Sequence, residues 1–170
     1  PTNDHMRSWV FILLHDRKEK EQALQFVREW VEKKNLEGKT DSVLKTPAQK
    51  MYAYAMPRQY SMLLDAPYVI IPLFKAAADI FHAETVNRLN SFASIWCVIE
   101  NMFLAATAEG LACSMRIPVG EEWKHTASVL EVPEGYIVPC YIGVGYAAEK
   151  APELEQNTFT VEEKLHLGKW

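Results

Sequence analysis

The sequence predicts an α+β domain in which helices flank a central mixed or antiparallel sheet of about four or five strands. Apolar runs of strand length occur along the chain, and between them lie segments whose apolar residues recur at helical spacing. The 170 residues contain neither an internal repeat nor a stretch with linker composition. We therefore expect one domain over residues 1–170, long enough to bury a substantial core.

The first predicted strand is Trp9–His15, WVFILLH, an apolar run between polar neighbours. Asp16 follows at a position where its carboxylate can cap a helix that continues to about Lys34. Apolar residues recur on one face of this helix, and its charged opposite face is expected to be solvated. A polar loop is predicted over Asn35–Thr46.

Two further elements are predicted before the centre of the chain. Ala48–Leu64 has helical spacing but is expected to break near Pro57. Ala66–Leu73, APYVIIPL, has the length and composition of a buried strand. Pro72 predicts that this strand ends there or lies at an edge of the sheet.

The most apolar stretch is predicted to be a long helix over Asn87–Glu109. Its apolar residues occupy most sides, so we expect burial on most sides, with part of the surface available to another subunit. Gly110 is a natural stop, because glycine adopts the left-handed conformation that ends many helices. A strand is predicted to follow over Leu111–Ile117.

Turn signals divide the rest of the chain. Val119–Leu130 is predicted to be a short helix, Glu131–Gly135 a turn, and Tyr136–Tyr146 a strand. Beyond them, Ala147–Asn157 is polar and expected to be extended, and Phe159–Leu167 is expected to be a terminal strand or arm.

Composition excludes several classes of protein. A net charge of −4 leaves no basic surface for phosphate backbones, and a 49% apolar content rules out a disordered chain. Polar residues such as Glu100 and Asn101 interrupt the longest apolar stretch before it reaches the ~18 residues that a membrane span needs. No signal peptide is visible in the sequence. The cysteine pattern, an odd number of thiols without CxxC spacing, is what predicts a cytoplasmic protein.

The three cysteines, Cys97, Cys113 and Cys140, lie in apolar segments without CxxC spacing. An odd number of widely spaced cysteines predicts reduced, buried thiols. Cys113 is the candidate for a reactive thiol, since Arg116 is near it in sequence and reactive thiols need a positive, accessible setting.

No spacing typical of a protein-only hydrolase or a metal enzyme is present. Gly143 and Gly145 lack the third glycine and the following helix of a dinucleotide fingerprint. They are expected to let the strand pass close to another backbone or a ligand. The five histidines are scattered. If the chain is an enzyme, a bound organic cofactor is expected to carry its chemistry.

Two polar features allow more than one interpretation. Glu100 and Asn101, inside the apolar helix, are either a hydrogen-bonded pair in the core or at an interface, or groups that position a pocket wall. Arg116 is either a surface arginine or a charge near an anionic ligand or a reduced cofactor.

Three blocks of sequence resemble the nitroreductase family of FMN-dependent oxidoreductases. IENMFLAATAEGLACSMRIP is similar to the core helix of that family and the strand after it. VLEVPEGYIVPCYIGVGYAAE is similar to a downstream block that usually ends in Gly-Tyr-Pro, whereas Ala147 follows Tyr146 here. PTNDHMRSW is similar to the segment P-S-x-x-N-x-Q-P-W, with His5 in place of Asn and Arg7 in place of Gln.

The resemblance implies an FMN site with no catalytic side chain, because flavin N5 carries the chemistry, and no metal. The backbone of Met115–Pro118 is expected to face the flavin ring, Arg7 is a hypothesis for a cation beside the reduced ring, and Lys164 and Lys169 are the nearest candidates for phosphate ligands. The implied cofactor-binding residues are Pro1, Thr2, Asn3, His5, Arg7, Met115, Arg116, Ile117, Pro118, Lys164 and Lys169.

The resemblance also implies an intertwined homodimer with two shared FMN sites and a C-terminal arm that reaches over the partner. Members of the family carry an Arg-rich phosphate-binding segment about thirty residues before the P-S segment, so we expect natural residues upstream of Pro1. The implied function is reduction of a nitroaromatic, a quinone or a similar electrophile by NADH or NADPH in a ping-pong reaction. Specialised flavin chemistry and non-enzymatic flavin storage are the alternatives.

Overall fold

The computed structural model describes residues 2–36, 46–76, 78–153 and 155–170. Within these ranges, five strands form one sheet in which all pairings are antiparallel. The strands are β1 (Trp9–Leu14), β2 (Tyr68–Lys75), β3 (Ala112–Arg116), β4 (Tyr136–Ile137) and β5 (Tyr141–Gly145). Their order is β1-β2-β5-β3, and β4 also pairs with β2. The predicted α+β class is confirmed, with an antiparallel sheet.

Six α-helices surround the sheet in the described ranges. They are α1 (Arg17–Ala23), α2 (Gln25–Leu36), α3 (Pro47–Ala55), α4 (Ser61–Leu64), α5 (Asn90–Ala108) and α6 (Glu122–Val129). The predicted cap is confirmed, because the Asp16 side chain accepts a hydrogen bond of 3.0 Å from the Glu19 N–H. The predicted break is also confirmed, because a 3-10 turn over Met56–Arg58 separates α3 from α4.

The loop predicted over Asn35–Thr46 is only partly within the described residues. Asn35 and Leu36 belong to α2, and residues 37–45 lie outside the described ranges.

The prediction from Pro72 is wrong, because β2 continues to Lys75 in the interior of the sheet. The backbone N–H groups of successive residues in β2 point alternately towards β1 and away from it. The Lys75 N–H points towards β1, where it donates to Ser8 O. The nitrogen of Pro72, three residues earlier, therefore points away from β1. There the pairing with β5 ends at Ile70 and the pairing with β4 begins at Phe74. The missing N–H of Pro72 therefore falls in a gap of the ladder and removes no hydrogen bond.

The strand predicted over Tyr136–Tyr146 is split into β4 and β5. Ile137 of β4 pairs with Phe74, and Ile142 of β5 pairs with Ile70. The chain therefore advances five residues from Ile137 to Ile142, while β2 advances only four between their partners. This count is that of a β-bulge, in which one extra residue is accommodated without a partner. The bulge occupies residues 138–140 and includes Pro139, which has no N–H to contribute.

Helix α5 ends where the sequence predicts. Gly110 has a φ of +70°, the Gly110 N–H donates to Thr107 O, and the Leu111 N–H donates to Ala106 O. These two hydrogen bonds form a Schellman motif, which needs a left-handed residue at this position.

The expectation that α5 is buried on most sides is wrong for the single chain. Only Ser91, Ile95 and Ile99 of this helix are buried, and Leu104 is 60% exposed. Glu100 and Asn101 lie on exposed positions, so they are not a core pair within one chain. By length and composition alone, the helical stretch Val86–Ala108 is long and apolar enough to cross a membrane, so the expectation that Glu100 and Asn101 interrupt it below that length is wrong.

Two apolar clusters cover the two faces of the sheet. Leu24, between α1 and α2, and Leu63 of α4 belong to the cluster around Ile71 on one face, and Ile95 and Ile99 of α5 pack on the other. Alternation along β2 explains the division, since Ile71 faces the first cluster and Phe74 the second. Helix α5 is thus the main cover of one face and borders both cavities described below.

Candidate functional site

An apolar cavity of about 630 Å³ lies between α5, the loop after β3 and the bulge between β4 and β5. Ile117 and Pro118, which the resemblance places beside the flavin, are in its wall. None of the described residues that line it has a charged side chain. The lining residues are Ile80, Phe81, Leu89, Phe92, Trp96, Ile117, Pro118, Trp123, Ile137, Val138 and Pro139.

Four aromatic side chains shape this cavity in two pairs. Phe81 stacks on Trp123 with ring centroids 6.0 Å apart and an interplanar angle of 22°. Phe92 meets Trp96 edge-on, with centroids 6.0 Å apart and an angle of 85°. Phe81 is 62% exposed, so it lies at the mouth. The apolar, aromatic lining suits a flat, neutral or delocalised ring system.

The segment that carries Phe81 is held by Asp79. One carboxylate oxygen of Asp79 accepts the Phe81 N–H at 2.9 Å, and the other lies 2.7 Å from His82 Nδ1. These hydrogen bonds, that to the His82 side chain foremost, hold the pKa of the Asp79 carboxyl below its ordinary value. Neither Asp79 nor Phe81 was expected at a site from the sequence, since the segment has no recognisable motif.

A second, more polar cavity of about 400 Å³ lies where the N-terminal segment meets α5. The Asn3 N–H donates to Ser94 Oγ at 2.8 Å and ties the segment to the helix. The lining residues are Thr2, Asn3, Asp4, Asn90, Ala93, Ser94 and Cys97. Two predicted site residues, Thr2 and Asn3, thus border one cavity, whereas Ile117 and Pro118 border the other. Within one chain, the N-terminal pair and the pair after β3 therefore line two different cavities and not a single site.

The remaining N-terminal candidates are exposed. His5 and Arg7 have φ values of 55° and 48°, a left-handed conformation that residues other than glycine seldom adopt. Their side chains are exposed, and neither lines the two cavities. Pro1 lies outside the described residues.

The C-terminal candidates lie in an exposed tail. Every described residue from position 146 onward is exposed, and no strand forms there. Lys164 Nζ lies 5.5 Å from the centroid of the Phe159 ring, and Lys169 is exposed near the end of the chain. Neither lysine lines either cavity.

Arg116 is a buried ion-pair residue, which neither interpretation of the sequence anticipated. Its side chain is 1% exposed and forms a two-pronged pair with Glu122, in which Nε donates to Oε2 at 3.0 Å and Nη2 donates to Oε1. Nη1 donates to Gln59, and the guanidinium lies 4.6 Å from the Trp30 ring centroid. Met115, one residue earlier on β3, is 36% exposed.

The cysteines differ from the expectation of three buried thiols. Cys97 and Cys113 are exposed in the single chain, and only Cys140 is buried. Burial raises the pKa of the Cys140 thiol to about 12 and also raises the pKa of Cys113. A raised pKa lowers the thiolate fraction at neutral pH, so Cys113 is accessible but lacks the lowered pKa of a reactive thiol. The described residues contain no cluster of His, Cys, Asp or Glu that could hold a metal ion.

The antiparallel sheet with its flanking helices places the chain in the α+β class, and the long apolar helix α5 borders the aromatic cavity. The Nitroreductase family profile matches residues 1–146, and the chain belongs to this family. Among curated proteins, no sequence matches this chain.

Solved structures share the nitroreductase-like fold along nearly the whole chain. Oxidised iodotyrosine deiodinase bound to FMN and 3-iodo-L-tyrosine has a TM-score of 0.69 at 19% identity, over 98% of this chain and 81% of its own. A BluB-like flavoprotein from Clostridium difficile 630 has a TM-score of 0.70 at 18% identity, over 99% and 83%. A Bacteroides fragilis nitroreductase with bound FMN has a TM-score of 0.64 at 21% identity, over 99% and 80%.

Proposed function

We propose that this protein is an FMN-dependent oxidoreductase that uses NADH or NADPH to reduce a small conjugated electrophile, such as a nitroaromatic or a quinone, in a ping-pong reaction. Membership of the nitroreductase family supports the class of reaction. The Bacteroides fragilis nitroreductase and the deiodinase both bind FMN, which supports the choice of cofactor. The apolar aromatic cavity with Ile117 and Pro118 in its wall is the observation on which the proposal rests.

The residues of the larger cavity fit a flavin ring. A volume of about 630 Å³ is in the range of cofactor sites, and the wall is apolar. When bound, FMN would supply the hydride-accepting and hydride-donating centre, which the protein's own side chains lack. The chain would contribute a largely apolar pocket, since the described residues that line it, among them Phe92, Trp96, Ile117 and Pro118, carry no charged side chain.

Polar contacts to the cofactor are proposed to come from the N-terminal segment and the tail. Thr2 and Asn3 offer hydroxyl and amide groups, and Arg7 offers an exposed guanidinium as the cation beside the reduced ring. Lys164 and Lys169 remain candidates for the phosphate, since both are exposed in the C-terminal tail.

We also propose a homodimer with two shared sites. The exposed apolar surface of α5, with Leu104 60% exposed, supports a partner on that helix. Strand β1 is at an edge of the sheet and exposes Phe11 and Leu13, so it supports a second contact. A second copy on α5 is the simplest way to join the polar cavity of one chain to the apolar cavity of the other.

The alternative is a specialised flavin reaction on the same fold, which the likeness to a deiodinase favours. That enzyme is bound to 3-iodo-L-tyrosine, which carries both an ammonium and a carboxylate. No described residue that lines the apolar cavity has a charged side chain to meet such a substrate. The lining therefore supports a neutral acceptor better.

FMN titration followed by reduction tests the proposal. The purified protein should bind FMN, NADH or NADPH should bleach the bound flavin, and a quinone or nitroarene should restore its colour. Phe81→Ala should weaken FMN binding about 3- to 10-fold, since an aromatic contact contributes about 0.5–1.5 kcal/mol.

Phe26→Ala is the matched control, because Phe26 stacks on His125 and does not line the apolar cavity. Protein that binds no FMN would overturn the proposal. FMN-loaded protein that neither nicotinamide bleaches would favour flavin storage.

A further inference from the structure

A buried ion pair joins the two residues that flank the loop of residues 117–121. Arg116 is the last residue of β3 and Glu122 is the first of α6. Both residues are 2% exposed, and their side chains meet through two parallel hydrogen bonds. This geometry fixes the separation of the loop ends more firmly than a single contact would, because a guanidinium and a carboxylate match in a planar fork.

Glu122 also holds the middle of the loop. Its Oε2 accepts the Val119 N–H at 3.0 Å in addition to Arg116 Nε. Pro118 has no N–H. Within the described residues, the N–H groups of Ile117, Gly120 and Glu121 have no hydrogen-bond acceptor, so they are the donors that this loop can still present.

Further contacts hold the ion pair in place within the helical layer. Arg116 Nη1 donates to Gln59 in the turn between α3 and α4, and the guanidinium lies over the Trp30 ring of α2. The pair therefore couples the loop to two other elements, while Ile117 and Pro118 of the same loop line the apolar cavity.

A need for stability does not explain two buried charges here. Desolvation of a buried ion pair offsets most of the attraction between its members, and well-packed apolar residues of similar volume often stabilise a protein as much or more. Defined geometry is the better explanation for a charge pair whose two residues bracket a cavity wall.

We propose that Glu122 and Arg116 are positioning residues, which set the shape of the 117–121 loop and thereby determine which backbone N–H groups face the bound flavin. The inference rests on the proposed function, and it concerns residues that do not touch the cofactor. It implies that loss of the pair changes the relative affinity for oxidised and reduced FMN rather than only the stability of the fold.

The test compares Glu122→Gln and the apolar double variant Arg116→Met/Glu122→Met with wild type. The double variant avoids an unpaired buried charge, so it should fold even if Glu122→Gln does not. Glu32→Gln is the matched control, since it removes the same charge on α2 from an exposed ion pair with Arg28.

The first readout is amide hydrogen exchange in protein without added flavin. The Val119 amide should exchange about tenfold faster in the double variant than in wild type or Glu32→Gln, because its acceptor is gone. Unchanged exchange at Val119 would overturn the inference whether or not the protein binds FMN.

The second readout is the ratio of the dissociation constants for oxidised FMN and for FMN reduced chemically with dithionite. We expect this ratio to change about tenfold in the double variant and to stay at the wild-type value in Glu32→Gln. Wild-type protein that binds no FMN would instead overturn the proposed function. Folded variants with the wild-type ratio would refute the positioning role while leaving that function intact.

Discussion

Cys140 and Tyr141 are consecutive residues whose side chains are buried on opposite faces of the sheet. Burial raises the pKa of Cys140 from 9.0 to about 12, and it raises the pKa of Tyr141 as well. Tyr141 keeps one hydrogen bond, 3.0 Å to Thr126 Oγ1, whose hydroxyl in turn donates to Ala23 O. Both groups are thus held in their neutral forms by the fold.

Stability should fall as the pH rises above 9. In the unfolded chain the Cys140 thiol loses its proton near pH 9, whereas the folded chain keeps it until about pH 12. Ionisation then favours the unfolded state, and this thiol alone should lower the free energy of unfolding by about 1.4 kcal/mol between pH 8 and pH 10. Urea denaturation at the two pH values measures the difference.

Two cysteine variants isolate that contribution. Cys140→Ala should reduce the alkaline loss of stability, while Cys97→Ala, which removes an exposed thiol, should not. An identical pH dependence in wild type and Cys140→Ala would contradict the assignment.

Lys20 is a buried lysine whose ammonium donates hydrogen bonds to backbone carbonyls at the C-terminal end of α4. Its Nζ donates to Leu64 O at 2.9 Å and to Ala66 O at 2.8 Å. Lys20→Met should lower the free energy of unfolding by about 2–3 kcal/mol, because both carbonyls lose a charged donor. Thermal unfolding should shift down by roughly 5–10 °C, whereas Lys18→Met, at an exposed position on the same helix, should shift little.

The residue types at Arg116 and Glu122 were visible in the sequence, but their pairing was not. A cation at a strand end and a carboxylate six residues later are compatible with two exposed side chains. The pair is buried because α2 and the turn after α3 pack against the side chains of Arg116 and Glu122, and this packing is not visible in the local sequence. The aromatic residues Phe81 and Trp96 were equally hard to assign, since core packing and a cavity wall require the same residue types.

Among the elements, the end of α5 depends on a single glycine. Gly110 has a φ of +70° and open space where a Cβ would lie, so the cost of a side chain is backbone strain alone. Gly110→Ala should therefore destabilise the protein by about 1–2 kcal/mol. Gly168→Ala, at a φ of +81° in the exposed tail, is the control and should leave the urea midpoint unchanged.

Most helices and strands could be predicted because their spacing is local. Trp9–His15 and Leu111–Ile117 contain β1 and β3, and the break near Pro57 follows from proline chemistry. The interior position of Pro72 could not be predicted, since it depends on a gap in the pairing of a distant strand. The bulge at residues 138–140 is non-local in the same way.

For the whole molecule, the exposed surface of α5 predicts association. Leu104→Glu should convert a dimer to a monomer in sedimentation equilibrium, because a carboxylate would be buried in an apolar interface without a partner. Val129→Glu, a similar change at an exposed apolar position on α6, should leave the dimer intact. A wild-type protein that sediments as a monomer at all concentrations would contradict the proposed pairing.

The exposed tail leads to a second expectation at this scale. All described residues from position 147 onward are exposed, so they contribute little to the core of the chain. Deletion of residues 147–170 should preserve the far-ultraviolet circular dichroism of the sheet and helices but weaken both dimer formation and FMN binding. Unchanged FMN affinity would exclude Lys164 and Lys169 as ligands.

The candidate site as a whole was only partly accessible from the sequence. Ile117 and Pro118 do line the apolar cavity, and Thr2 and Asn3 line the polar one. Their separation within one chain depends on how the chain wraps around α5, which no local spacing encodes.

The bulge beside Pro72 has a consequence for the way in which the wall of the cavity is held. Pro72 of β2 and Pro139 of the bulge both lie at the interruption of the ladder, and neither has an N–H to donate. Val138 and Pro139, which line the cavity, therefore lie where the pairing with β2 is interrupted, and the packing of Val138 in the core holds this segment in place of ladder hydrogen bonds. One wall of the cavity is thus formed by a bulged segment of the sheet, and Phe92 and Trp96 of α5 contribute to the rest of the lining.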